Sequence, residues 1–484
     1  MNYAIIKRTI GWILIFEGLF FLVPVLTAAV YRETEITDFL WTMLACVAVG
    51  GTLLIGKPKS SALYAKEGFV IVALSWIFLS LFGAIPLYIS GKYPSYIDAL
   101  FEIVSGFTTT GASVLTGEKI EALPRCILMW RSFTHWIGGM GVLVFILAFL
   151  PLCGGGNNIN IMRAESPGPT VSKLVPKMRS TAGILYLIYT ALTLLQFILL
   201  IFDMPVFDAI NTAFATAGTG GFAVKADGFA GYSPYAQVVV TVFMVLFSIN
   251  FASYYFVIRG KCKDALNTEV RVFLAIVVIA ITAISINICV TESLQYGYTA
   301  GEAVRHSAFS VASVISTTGF STENFDLWPA FSKSILIMLM FVGACAGSTG
   351  GGMKVSRWII LFKGAQHETK RMLHPKQVKK ITMDKRVVEH EVVRGVNGYL
   401  IAYMAVFIVS LLLISFDFQD MTTNFTAITA TLNNIGPGLG AVGPAGHYGD
   451  FSYFSKIVLI FDMLVGRLEV FPMLVLFMPS TWKK

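Results

Sequence analysis

Charge is in short supply. Asp, Glu, Lys and Arg make up 13% of the chain, about half the roughly 25% of a soluble globular domain. With 56% apolar residues and a mean hydropathy of +0.72, that shortage excludes a water-soluble fold. Cysteine is also scarce: Cys46, Cys126, Cys153, Cys262, Cys289 and Cys345 lie far apart with no CxxC pair, which excludes a disulfide framework and a zinc site. They read as small apolar residues of helices. The histidines, His135, His306, His367, His374, His390 and His447, lack metal-ligand spacing and read as structural or surface residues. No grouping of nucleophile, base and acid stands out, so an enzyme is the least expected class and no cofactor is expected.

Long apolar runs, in contrast, are abundant. Stretches long enough to cross hydrocarbon as helices, about 20 residues each, begin near Ile10, Phe39, Gly68, Ile127, Gly183, Ala236, Val272, Lys333, Asn397 and Ser455. The expectation is ten spans. The first follows Lys7 and Arg8 in the manner of a signal peptide, but its apolar run reaches Tyr31 with no small-residue cleavage site, so it reads as retained. Basic residues gather at Lys7 and Arg8, in 57–66, 163–179, 259–271 and 363–394, and at Lys483 and Lys484. All fall on one side of a ten-span arrangement, whereas 32–38, Asp203, Glu292 and 417–420 fall on the other. Because Lys and Arg concentrate in cytoplasmic loops, both termini are expected in the cytoplasm. These charges suit a membrane surface, with lipid as neighbour, rather than nucleic acid.

Four short stretches end alike: Thr109-Thr110-Gly111, Thr219-Gly220-Gly221, Thr317-Thr318-Gly319 and Asn434-Ile435-Gly436. They recur at intervals of roughly a hundred residues, the size of a folding unit. Asp98, Asp208, His306 and Thr423 each stand thirteen residues before a glycine, where a short helix is expected to begin. The intervening segments, such as 99–108 and 303–316, are too short to span a bilayer and fit re-entrant half-helices. Irregular backbone at membrane depth is tolerated only where it is buried in protein or lines water, so four such loops imply one aqueous axis. Half-helices whose C-terminal, negative ends point to the membrane centre favour a cation there. Glycine allows backbone angles that a Cβ disfavours, and rings of carbonyls can then replace a hydration shell. Thr109, Thr110, Thr219, Thr317, Thr318 and Asn434 can add oxygens or brace the loops. In the second loop either Gly220 or Gly221 can be the ring member, and the position before Phe222 favours Gly221. For one loop alone, plain helix packing is the better reading; four in register favour the pore.

The run 343–352 holds Gly343, Gly347, Gly350, Gly351 and Gly352, with Ser348 and Thr349 between them and Lys354 just beyond. At about 1 kcal/mol per Gly relative to Ala, the helix is expected to break there and form a barrier on the inner side of the filter. A close helix crossing is the alternative. The run mimics a phosphate-binding Gly-rich loop, but Met353 occupies the lysine position and no soluble strand precedes it. Arg467 lies in the last apolar run at the same depth as Gly350, where a charge costs about 2.5–3.5 kcal/mol. It is expected to approach the 343–352 loop and add positive charge to the barrier; pairing with Glu469 is the alternative. Asn250 stands at a similar depth, either lining an inner cavity or bonding between helices. Gly154-Gly155-Gly156 after Pro151 reads as a linker at the end of a span.

These pieces, together with Phe107-Thr108-Thr109-Thr110-Gly111-Ala112, Ser316-Thr317-Thr318-Gly319-Phe320, 431–438 and 344–354, resemble the Trk/Ktr/HKT superfamily of potassium transporters, closest to its bacterial TrkH subunits, over nearly the full chain. The resemblance implies an all-α integral membrane fold of four tandem M1-P-M2 units, as in K⁺ channels, around one pore. Their expected bounds are 67–152, 153–260, 261–363 with the broken helix, and 395–484, with two extra helices in 1–66 and a basic cytoplasmic loop in 364–394. It further implies K⁺ uptake across a bacterial cytoplasmic (inner) membrane, K⁺ held only at the filter, a homodimer, and a cytosolic TrkA-like regulatory subunit that binds NAD(H) or ATP/ADP. Superfamily members with serine at the first filter position tend toward Na⁺, so Gly111 implies K⁺. A symporter coupling K⁺ to H⁺ or Na⁺ is the alternative. Broken helices serve such transporters, but usually with inverted repeats and buried carboxylates, and here only Glu17, Asp462 and Glu469 lie well within apolar spans.

Overall fold

The computed structural model describes residues 1–55, 65–141, 178–291, 298–374, 380–384 and 386–482. Lys57, Lys59, Cys153, Gly154-Gly155-Gly156, Arg163, Glu292, Lys483 and Lys484, and the expected boundary at 152–153, lie outside them. The described chain is mostly helical, and its strands are the antiparallel pair Thr382–Met383 and Arg386–Val387.

Among the described residues, six helices are long and apolar enough to cross a membrane: Tyr3–Tyr31, Ile36–Leu54, Lys66–Ile89, Thr181–Leu200, Thr268–Thr291 and His390–Asp417. The other four of the ten expected spans begin as the shorter helices Arg125–Gly139, Pro234–Phe247, Ala330–Val342 and Tyr453–Arg467. Pro234–Phe247 gives way, through a 92° bend, to Phe251–Ile258. Ala330–Val342 ends at Gly343 and helix resumes only at Val355. Tyr453–Arg467 breaks at 468–470 before Phe471–Phe477. Each break frees backbone groups that, at membrane depth, other protein groups or the water of a cavity must bond.

Four short helices lie between longer ones: Tyr96–Phe107, Val206–Gly218, Ala300–Ile315 and Met421–Leu432. At 12 to 16 residues they are too short to span a bilayer, and most of their residues are buried. Their starts fall upstream of the expected positions, and in all but Val206–Gly218, which starts after Pro205, a capping side chain stands there. Ser95 accepts from the Asp98 amide, Asp420 accepts from that of Thr423, and Thr299 and Glu302 form a reciprocal capping box. Asp98 and Thr423 thus sit in the first turn, and His306 well inside its helix. The hydrogen bonds from Thr299 hold the Glu302 carboxyl below its ordinary range, and those from Thr423 do the same for Asp420.

The N-terminal pair of helices crosses where a Cβ at Gly50 would lie 2.7 Å from the Gly11 carbonyl oxygen, a small-residue contact that lets backbones touch. This pair packs on Arg125–Gly139 through Phe21 and Phe39, with Phe21 and Trp130 ring centroids 4.5 Å apart. It thereby braces the first short helix, whose Phe107 meets the same Trp130.

Candidate functional site

Every short helix ends in one backbone motif. The amides of Thr110, Gly220, Thr318 and Ile435 reach back five residues to the carbonyls of Ser105, Ala215, Ser313 and Ala430, at 2.8, 2.8, 2.8 and 2.9 Å. The residue before each, Thr109, Thr219, Thr317 or Asn434, is left-handed, with φ of 56°, 55°, 61° and 55°. This Schellman arrangement normally places glycine at the left-handed position. A β-branched residue there is strained by about 1–3 kcal/mol, so threonine in three of four loops signals that its hydroxyl is needed. Thr109 Oγ1 accepts from Arg467 at 3.0 Å, and Thr317 Oγ1 accepts from the Gly351 amide at 2.6 Å. Asn434 Nδ2 donates to Thr110 Oγ1 at 3.0 Å and to the Met463 carbonyl at 2.9 Å. Thr219 instead bonds its neighbour's carbonyl, at Gly218.

The four loops close on one another. A Cβ at Gly111 would overlap the carbonyl oxygen of Gly220, one at Gly221 that of Thr318, and one at Gly319 that of Ile435. At Gly436 it would lie 2.7 Å from the oxygen of Thr110. Each glycine therefore abuts the carbonyl of the residue preceding the next glycine, and the series returns to its start. All four have positive φ, from 78° to 93°, which a side chain would disfavour. Of the two candidates in the second loop, Gly221 occupies this ring position. Gly220 has a different role: its Cβ would overlap the His135 ring, where the other loops carry Thr110, Thr318 and Ile435. His135 bonds the Gly106 carbonyl through Nδ1 at 2.7 Å and accepts the Phe222 amide on Nε2 at 3.3 Å, tying the first loop to the second. A cavity of about 120 Å³ on one side of the ring is lined by all four ring glycines with Arg131, Phe222 and Tyr448.

On the other side lies the 343–354 segment. Its glycines Gly343, Gly347 and Gly352, and also Lys354, have positive φ, so helix cannot continue. Gly351 packs against the Asn433 carbonyl and Gly350 against that of Ser316, directly beneath the third and fourth loops. The Cys345 amide donates to Ser248 O and the Thr349 hydroxyl to Phe247 O, both at 3.1 Å. The Phe251 amide bonds Gly347 O at 3.0 Å, so the bend at 248–250 and this segment satisfy each other. Asn250 caps Phe251–Ile258 through the Ala252 amide and touches Gly347. Ser348 bonds the Cys345 carbonyl, and buried Lys354 donates to that of Gly350. Arg467 gathers the whole region: it donates to Thr109 Oγ1, to Thr349 O at 2.8 Å, and to the carbonyls of Gly138 and Gly139. Glu469 is not its partner. That carboxylate pairs with Arg357, whose guanidinium lies over the Tyr399 ring at 3.9 Å.

Residues 35–484 match the family model described as TrkH, cation transport protein. The chain belongs to the TrkH family. The "Trk system potassium uptake protein TrkH" of Salmonella typhimurium is 36% identical over 493 residues, covering 100% of both chains. Its namesake in Escherichia coli K12 is likewise 36% identical over the full length of both. The crystal structure of the potassium transporter TrkH from Vibrio parahaemolyticus superposes with a TM-score of 0.89 at 33% identity, covering 100% of both chains. The chain is thus a multi-pass membrane transporter and not an enzyme, with the helical fold of that family.

Beyond what sequence reading identifies, two buried ion pairs and one buried carboxylate that accepts backbone amides frame the site. Glu102 on the first short helix pairs with Arg131 at 2.7 Å, both buried, and accepts from Ser113 Oγ and the Val114 amide, fixing the chain just after the first loop. Lys456 pairs with Asp98 at 2.7 Å and bonds Gly449 O, joining the last shorter helix to the first short one. Glu269 accepts the amides of Ala346 and Ser356 at 2.8 and 3.1 Å, clamping both ends of the 343–354 segment. The available signal is an acid or base inside an otherwise apolar stretch, since buried charges must be paired. Their partners lie 29 to 358 residues away, beyond the reach of local pattern.

Proposed function

We propose that this protein mediates K⁺ uptake across a bacterial inner membrane through one channel-like pore formed by four M1-P-M2 units. The reading rests on the closed ring of Gly111, Gly221, Gly319 and Gly436, each against a neighbouring carbonyl. In that ring, Thr109, Thr110, Thr219, Gly220, Thr317, Thr318, Asn434 and Ile435 supply carbonyls or brace them, and a dehydrated cation exchanges water for oxygen ligands. The fixed oxygen spacing and the absence of serine at Gly111 favour K⁺ over Na⁺. Residues 343–352 with Lys354 act as the gate. Arg467 holds it shut by binding Thr349 on one side and Thr109 on the other, and its charge opposes cation entry.

Opening then requires the segment to leave the space beneath the third and fourth loops. Val355–Leu373 continues directly from it into the basic 364–394 region, which gives a cytosolic TrkA-like, nucleotide-binding subunit a lever. Both termini are cytoplasmic in this reading, and a homodimer is the expected assembly. Buried Asp462, bonded by Ser410 at 2.7 Å, keeps a second reading in view: a symporter coupling K⁺ to H⁺ or Na⁺.

The test is radioactive rubidium accumulation into KCl-loaded proteoliposomes diluted into K⁺-free medium, with pH equal on both sides and Na⁺ absent. Accumulation driven by the K⁺ gradient alone is expected. No accumulation until a proton or Na⁺ gradient is imposed would favour the symporter and overturn passive conduction.

A further inference from the structure

A second cavity, of about 180 Å³, lies far from the pore between the end of Val355–Leu373 and the small hairpin, lined by Lys363, Gln366, His367, Lys370, Arg371, Lys380, Ile381 and Thr382. Four cationic side chains and an imidazole therefore face one small space. The carboxylate near it is Glu368, 3.7 Å from Arg371 and 3.6 Å from His367. Asp384, the acid of the hairpin turn, faces away and binds the amide and hydroxyl of Thr268 at 2.8 and 2.6 Å. Lys363 donates to the Thr382 carbonyl at 2.7 Å, which holds the hairpin against the helix and keeps the cavity formed. The net charge on this wall is positive, and its donors converge.

The surroundings indicate where the matching anion comes from. Phe362, Met372 and Leu373 are exposed on the same helix at 69%, 82% and 72%, flanking the basic residues with apolar surface that water does not favour. A helix with one basic and one apolar face at the end of a membrane segment lies at the lipid headgroup level. Basic clusters immediately beyond a transmembrane helix attract anionic headgroups, at about 1 kcal/mol per Lys or Arg. We propose that this cavity binds the phosphate of an anionic phospholipid headgroup, with Lys363, Lys370, Arg371 and Lys380 as its ligands and Phe362, Met372 and Leu373 in contact with the acyl region. The assignment does not depend on how the pore conducts.

The experiment uses the full-length purified protein in detergent with fluorescently labelled phosphatidylglycerol, read by anisotropy. Unlabelled phosphatidylglycerol, phosphatidylcholine and inorganic pyrophosphate are the competitors. Lys370→Gln/Arg371→Gln is expected to weaken binding about tenfold or more, at roughly 1 kcal/mol per charge. Lys261→Gln/Lys263→Gln removes the same charge from another exposed basic segment and is expected to leave binding within about twofold. Displacement by phosphatidylglycerol but not by the other two supports a lipid site. Displacement by pyrophosphate would assign the cavity to a soluble phosphate and overturn the lipid source. Equal binding by both variants, or equal loss in both, would overturn the site itself. Thermal unfolding of each variant identifies any loss that comes from misfolding.

Discussion

The loop ring and the inner breaks lie next to each other and are built on opposite rules. All four ring loops use one backbone solution, a Schellman end with a left-handed Thr or Asn followed, two residues on, by a positive-φ glycine. The inner breaks share no solution. One is a 92° bend at 248–250, one a glycine-rich segment of about a dozen residues, and one a turn at 468–470, where Glu469 and Val470 take φ of 57° and 67° without any glycine. A ring proposed to coordinate one ion needs equivalent positions, and any departure damages it. The proposed barrier needs only one segment able to move, which leaves the other inner elements free to specialise in holding it.

Breaking the ring is expected to give the largest effect. Alanine at Gly319 adds about 1–3 kcal/mol of overpacking to about 1–2 kcal/mol for a side chain at positive φ. At 1.4 kcal/mol per decade that is enough for roughly a hundredfold loss of rubidium flux per folded protein. Gly436→Ala, with 2.7 Å to its nearest oxygen instead of an overlap, is expected to be milder. Equal losses at the two positions would mean that spacing around the ring is not what matters.

The frame comes next. Glu102→Gln leaves Arg131 buried without its counter-charge, which costs about 3–5 kcal/mol. Thermal unfolding in detergent should fall steeply, while Glu302→Gln, at an exposed cap, should shift it only slightly. On the gate side, Arg467→Ala removes donors to Thr109, Thr349, Gly138 and Gly139. If one charged hydrogen bond of about 1.5 kcal/mol separates closed from open, basal flux rises roughly tenfold. Unchanged or lower flux in folded protein would remove Arg467 from the gate.

The smallest effect concerns a cap. The hydrogen bonds that hold the Asp420 carboxyl below its ordinary range contribute stability that is present above the unfolded carboxyl pKa and lost as pH falls through the folded one. Because solvent screens this exposed carboxyl, Asp420→Ala is expected to lower stability by at most about 0.5 kcal/mol at neutral pH. The difference should vanish in strong acid, as read from unfolding curves at several pH values.

Much of this is legible in the sequence, for physical reasons that differ by region. The ring is readable because its geometry demands glycine at fixed distance from a helix start, and repetition multiplies a weak local signal. The break after Val342 is readable because glycine density penalises helix directly. The breaks at 248–250 and 468–470 are not readable in the same way. The first is stabilised by carbonyls of Phe247 and Ser248 meeting Thr349 and Cys345, contacts a hundred residues away, and the second forces non-glycine residues into positive φ with no sequence mark. The approach of Arg467 to the 343–354 segment follows from depth counting, but its four acceptors do not. The true partner of Glu469, Arg357, is set by how Val355–Leu373 leaves the break.

The most direct measurement of the central claim is the reversal potential of currents through the purified protein in a planar bilayer, with K⁺ on one side, Na⁺ on the other and equal pH. A ring of four equivalent glycines predicts reversal far toward the K⁺ equilibrium potential, and Gly111→Ser should bring it back toward zero. Reversal near zero in the unaltered protein would contradict a K⁺-selective ring.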